Sequence, residues 1–126
     1  MKEENAHKAI CKYIKFTYPD VIFTSDGSGL RLTKGLAAKF AFLKSGRGIP
    51  DLLIFEPNKT YKGLFLEVKK ADEKIFKKDG TLYADEHLQE QASILDRLQH
   101  KGYAAYFCIG SMQGILFIDQ YMRNEL

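Results

Sequence analysis

Gly46-Arg47-Gly48-Ile49-Pro50-Asp51 runs directly into Leu52-Leu53-Ile54-Phe55, and a second apolar stretch, Leu64-Phe65-Leu66, runs into Glu67-Val68-Lys69. Both apolar stretches are short, rich in branched and aromatic side chains, and bounded by turn formers, which is the pattern of a buried strand. Successive strand side chains face opposite sides of a sheet, so Glu67 and Lys69 share one face while Leu66 and Val68 point into a packed layer. The polar turn Glu56-Pro57-Asn58-Lys59 separates the two strands. If they pair as neighbours, Asp51 meets Glu67. Converging carboxylates repel each other unless cations or a divalent metal neutralise them, and oxygen ligands of this kind suit Mg2+ or Mn2+. A Glu-x-Lys string alone carries little, because charged residues near strand ends are mostly solvated. The ordered combination of turn, Pro-Asp, strand, turn and second strand carries the reading, with Asp51, Glu67 and Lys69 on one exposed catalytic face.

Outward from these strands the periodicity changes in a regular order. Residues 3–18 read as a helix, with Ala6, Ile10, Tyr13, Ile14 and Thr17 at helical spacing, stopped before Pro19. Residues 21–24 read as a short strand and residues 25–29 as a loop. Thr33 can cap a second helix whose Leu36, Ala37, Phe40 and Leu43 form a stripe ended by Gly46. The insert at 69–87 reads as a polar hairpin or loop. Residues 88–101 form a helix closed by Gly102, and residues 103–109 a last core strand. Ser111 can cap a final helix with Ile115, Ile118 and Met122 on one face, although Ile115-Leu116-Phe117-Ile118 alone suits a strand equally well.

The 126 residues hold neither repeat nor low-complexity tract, so residues 1–126 are expected to form a single α/β domain. Apolar content of 45% and charged content of 28% are ordinary for a globular protein, and a net charge of +3 is compatible with nucleic acid without requiring it. Cys11 and Cys108 lie in apolar settings without metal-like spacing, as reduced core residues do. Without a membrane-length apolar run, and with an acidic start unlike a signal peptide, the chain is expected in the cytoplasm, neither secreted nor membrane-bound.

The strings GRGIPDLLIF (residues 46–55), GLFLEVKK (residues 63–70) and EQASILDRLQHKGYAAYFCIG (residues 90–110) resemble the VRR-NUC group of the PD-(D/E)XK nuclease superfamily. Gln91 and Gly102-Tyr103 are the features that separate this group from the wider superfamily. The resemblance implies a restriction-endonuclease-like αβββαβ core, a central mixed β-sheet flanked by helices, and a helix rather than a strand at residues 111–122. It implies an Mg2+- or Mn2+-dependent DNA endonuclease, selective for branched, flapped or four-way-junction DNA. Small members resemble dimeric, Holliday junction resolvase-like enzymes often found in phages, which implies a homodimer in a bacterial or phage-infected cell. The alternative is an inactive or accessory DNA-binding domain of the same fold.

The implied metal shell is Asp51, Glu67 and the Val68 carbonyl, with Glu3 reaching the metal from the first helix and Lys69 acting on the attacking water. Gln91 falls on the face of Leu88, Leu95 and Leu98. From spacing alone it is either a partly exposed end of that stripe or a buried amide seeking polar partners. The resemblance implies the second, with Gln91 organising the catalytic site. His7 stands where VRR-NUC domains have a glutamine, and a satisfied structural histidine is the expected role. Arg31 and Lys34 follow a flexible loop at a helix start, where N–H groups and cations favour phosphate; Lys44, Arg47 and Lys70 extend this candidate DNA-binding surface.

Overall fold

The computed structural model describes residues 3–26 and 32–126, the side chains of Glu3 and Glu4 excepted. The elements run α1 (Glu3–Thr17), β1 (Phe23–Ser25), α2 (Lys34–Phe42), β2 (Leu52–Ile54), β3 (Leu64–Lys69), α3 (Glu86–His100), β4 (Ala104–Ile109) and α4 (Gly110–Met122). The sheet order is β1-β2-β3-β4. β1 and β2 pair antiparallel, as do β2 and β3, while β3 and β4 are parallel and joined through α3. This is the mixed sheet flanked by helices expected from the sequence.

Alternation along β3 divides the core into two layers. Leu64, Leu66 and Val68 pack with Ala6, Ile10 and Ile14 of α1 and with Ile118 and Tyr121 of α4. Phe65 packs on the opposite face with Leu95 of α3 and Ala105 of β4. Glu67 and Lys69 follow Phe65 onto the α3 face. α1 and α4 approach closely because Gly114 has no side chain: a Cβ there would lie 2.7 Å from Ile10 Cδ1 and 3.3 Å from Cys108 Sγ. A polar clasp reinforces the pair, with Tyr13 and Tyr18 both donating hydroxyl protons to Asp119.

Four local expectations change. α4 begins at Gly110, which takes φ +82°, so Ser111 is not its cap; Gln113 Oε1 accepts the Ile109 N–H instead, at 2.6 Å. The final helix buries Gly114 and Tyr121 along with Ile118, whereas Ile115 and Met122 are only half-buried. Thr33 does cap α2, accepting from Leu36 N at 3.2 Å, but no residue of that helix is buried. The apolar stripe of α2 therefore lies outside both core layers. α3 starts two residues earlier than its apolar stripe because Asp85 caps it, accepting from Leu88 N at 2.9 Å. The insert is a small hairpin closed by a Phe76–Leu82 bridge and anchored by buried Ile75.

Gly114→Val should lower unfolding free energy by about 1–3 kcal/mol through overpacking against Ile10. Chemical denaturation of this variant and of Gly114→Val with Ile10→Val checks the cause, since shortening Ile10 should restore part of the loss.

Candidate active site

β2 stops short of β3. Its last pair is Leu52 with Leu66, and continuing that register one step sets Asp51 opposite Glu67. Beyond Leu66 the edge of β3 has lost its main-chain partner, and a side chain takes over: Asp51 Oδ1 accepts the Val68 N–H at 3.0 Å. The N–H and C=O of one strand residue leave the same edge, so the Val68 carbonyl shares this gap with the Asp51 carboxylate.

Asp51 is completely buried, and Glu67 and Lys69 are 4% and 6% exposed. The exposed face expected from alternation is thus largely covered: α3 lies over Glu67 and Lys69, and α1 reaches Asp51. From α1, His7 Nε2 stands 3.3 Å from Asp51 Oδ2, while its Nδ1 meets Ser25 Oγ at 3.0 Å. His7 is thus held through Nδ1, and its Nε2 borders the carboxylate directly. From α3, Gln91 is buried and its amide is used at both ends. Its Oε1 accepts from Lys69 Nζ at 2.8 Å, and its Nε2 donates to Glu67 Oε1 at 2.7 Å. Nε2 also lies 3.2 Å from His87 Nε2, so a neutral His87 can accept the second amide proton. Lys69 Nζ lies 3.9 Å from Glu67 Oε1 and 3.8 Å from Glu73 Oε2.

The turn before β2 sets where α3 can rest. Gly48 takes φ +85°, and a Cβ there would fall 2.9 Å from the Glu90 carbonyl oxygen, one residue before Gln91. Only glycine permits both that backbone conformation and that approach. Spacing could have found His87, one helical turn before Gln91; nothing in the sequence marks Glu73 or Ser25 as neighbours of the site.

Burial pushes the Asp51 carboxyl above its ordinary value, and the Asp26 charge adds to this, against the opposing effects of His7 and the Val68 N–H. The Cys108 thiol behind the site is pushed up to about 12, by burial first and then by the charges of Asp51 and Glu67. Both cysteines are free. The site thus concentrates negative charge in a dry setting. Among the described residues no well-formed hydrogen bond reaches Asp51 Oδ2, a buried oxygen with spare acceptor capacity.

Among the described residues no three His, Cys, Asp or Glu side chains form a ready-made metal cage. Two carboxylates and a carbonyl nevertheless fit Mg2+ or Mn2+, which keep waters and are commonly held by one or two carboxylates together with substrate oxygens. The side chain of Glu3 and the whole of Arg31 lie outside the described residues.

Glu67, Lys69, Gln91 and His87 open onto a cleft of about 660 Å3 whose other wall is α2. Lys44 and Arg47 line the same cleft, but each faces an acid: Lys44 Nζ is 2.7 Å from Asp26, and Arg47 Nε is 3.7 Å from Glu90. Lys34 and Lys70 are exposed and do not line it.

No protein-family model matches the chain, and no curated protein matches it. A solved structure described as a VRR_NUC domain protein is similar over 98% of this chain and 89% of that one, with a TM-score of 0.69 and 23% sequence identity. The chain has the VRR-NUC fold. No described helix is long and apolar enough to cross a membrane.

The raised carboxyl has a stability consequence with a definite sign. Asp51 binds its proton more readily in the folded than in the unfolded chain, so its contribution is fully present below the ordinary value of 3.8 and lost as pH rises through the raised one. Asp51→Asn, which keeps an acceptor for Val68 N–H, should raise the melting temperature of the metal-free protein at pH 7. The gain should shrink as pH falls towards 3.8. Adding Mn2+ should stabilise the wild type but not the variant, by linkage to a bound ion. Thermal melts across pH, with and without Mn2+, measure both effects.

Proposed function

We propose that the chain is a metal-dependent nuclease that hydrolyses DNA phosphodiester bonds. The observation that supports this best is the Asp51–Glu67 juxtaposition where β2 ends, with Lys69 tied to Glu67 through one buried glutamine. A structural strand end has no use for two carboxylates and a lysine under cover, since burying charge is costly unless the charges do something together.

In this reading Asp51, Glu67 and the Val68 carbonyl hold Mg2+ or Mn2+, with Glu3 completing the shell directly or through water. When bound, the ion polarises the scissile phosphate, lowers the pKa of a water and offsets charge on the leaving oxygen. The chain's own residues do the positioning. Gln91 holds Lys69 Nζ at the cleft side of Glu67, where the ammonium can orient the attacking water or offset charge on the phosphate. His7 keeps Asp51 Oδ2 in place until the site is loaded, and the apolar layer behind Val68 excludes bulk water from the rear. Lys34, Lys44, Arg47 and Lys70, with Arg31, supply phosphate contacts. Selectivity for branched, flapped or four-way-junction DNA and a symmetric dimer with paired sites complete the proposal.

Asp51→Ala, Glu67→Ala and Lys69→Ala should each abolish cleavage while the protein remains folded, and double variants should be scarcely worse than singles because the groups act as a unit. Single-turnover assays on duplex, nicked, flapped and junction DNA with Mg2+ or Mn2+ test this. Wild-type turnover in any one variant, or activity that survives excess chelator, would remove the mechanism.

Gln91→Leu separates catalytic positioning from packing. Leucine leaves Lys69 Nζ without its amide acceptor and Glu67 without its amide donor, so turnover should fall by at least about tenfold, the effect of roughly 1.4 kcal/mol on a barrier. Circular dichroism should show a folded protein. Full turnover in a folded variant would show that the amide serves packing alone.

A further inference from the structure

α2 is an apolar helix outside the core. Its nine residues include Leu36, Ala37, Phe40 and Phe42, yet none is buried. Part of this surface is not simply facing bulk solvent: Phe40, Ala37 and Ala41, with Leu32 just before the helix, form the apolar wall of the cleft that carries Glu67 and Lys69 on its opposite wall. Phe40 is 47% exposed and lines that cleft, whereas Phe42 is 87% exposed beside Lys39 and Leu43 and does not.

A cleft with one ionic and one aromatic wall matches a ligand with the same two halves. Phosphate contacts need cations and N–H groups and gain nothing from phenylalanine. A nucleobase offers a flat π-face that stacks on aromatic side chains, but only when unpaired, since within a duplex both faces are covered by neighbouring bases. The cleft volume of about 660 Å3 is in the range of small-molecule sites and is enough for a nucleotide.

We infer that Phe40 stacks on an unpaired nucleobase adjoining the phosphate at Lys69, so that the cleft takes nucleic acid with a single-stranded or splayed nucleotide at that point. This rests on the nuclease reading for the identity of the phosphate and adds the state of the base beside it. Phosphate at the ionic wall sets the register, and the aromatic wall excludes a nucleotide still stacked within a helix. Sequence preference is not required, because every base has a π-face.

The chain contains no tryptophan, so Phe40→Trp introduces a sole indole fluorophore in the cleft wall. In excess chelator, where cleavage cannot consume the probe, short single-stranded oligonucleotides should quench the Phe40→Trp protein saturably. Blunt duplex of the same sequence, or a strand carrying abasic sites, should quench it several-fold less, and Phe42→Trp should not respond. Phe40→Ala should weaken single-strand binding by about 5- to 150-fold, the range for loss of one stacked base, and leave duplex binding unchanged. No residue of α2 is buried, and circular dichroism of each variant separates lost contact from lost folding.

Equal quenching by intact, abasic and duplex DNA would overturn the inference in favour of phosphate binding alone. An indole emission shift in Phe40→Trp that follows protein concentration and ignores DNA would overturn it in favour of a second copy covering α2. Base-dependent quenching by a protein that cuts no DNA with Mg2+ or Mn2+ would support the stacking site and sink the nuclease reading. Cleavage without base-dependent quenching would do the reverse.

Discussion

The hydrogen bond from Val68 N–H to Asp51 Oδ1 is the hinge on which the site turns. A longer β2 would have filled that position with a backbone carbonyl and closed the sheet edge. By ending the strand at Leu52 and bonding with a side chain, the fold satisfies the donor and still leaves the other carboxylate oxygen to act. The cost is a buried acid whose charge is disfavoured by desolvation. Two contacts limit that cost, His7 from α1 and the Val68 N–H, while the apolar rear layer of Leu66, Val68 and Cys108 imposes it.

Much of this architecture is legible in the sequence. Alternation in Leu64-Phe65-Leu66-Glu67-Val68-Lys69 assigns faces correctly because a strand between two helical layers has an unambiguous inside on each side. Spacing leaves Gln91 either a partly exposed end of its stripe or a buried amide; the resemblance selects the second, and both ends of the amide find partners. The family resemblance anticipates the sheet and the choice of helix at residues 110–122. Periodicity by itself does not decide the latter, since a short apolar run is consistent with either element.

The failures have physical causes as well. The α2 stripe has helical spacing, and spacing reports a face without saying what that face meets. Here it meets a cleft. Ser111 has the right chemistry for a cap, but the positive φ of Gly110 lets the helix begin directly from β4, and Gln113 reaches back to do the capping. The openness expected of Glu67 and Lys69 fails because strand alternation says which side a residue is on, not what covers that side. His87 and Glu73 join the site through the path of the insert and the start of α3, which depend on the Asp85 cap and the buried Ile75 anchor rather than on any motif.

Glutamine is a neutral side chain that presents one acceptor and one donor group on the same carbon, and rotating its amide by half a turn exchanges them. The Gln91 bridge is therefore indifferent to the order of the charges it joins. With lysine at 67 and glutamate at 69, the rotated amide could still link them, and His87 could answer by moving its proton to the other ring nitrogen. The neighbour beyond the bridge is not indifferent, because Glu73 Oε2 lies 3.8 Å from Lys69 Nζ and would face a like charge after the exchange. What fixes the direction of the Glu67–Lys69 pair is thus the acid beside the lysine, not the amide between the two.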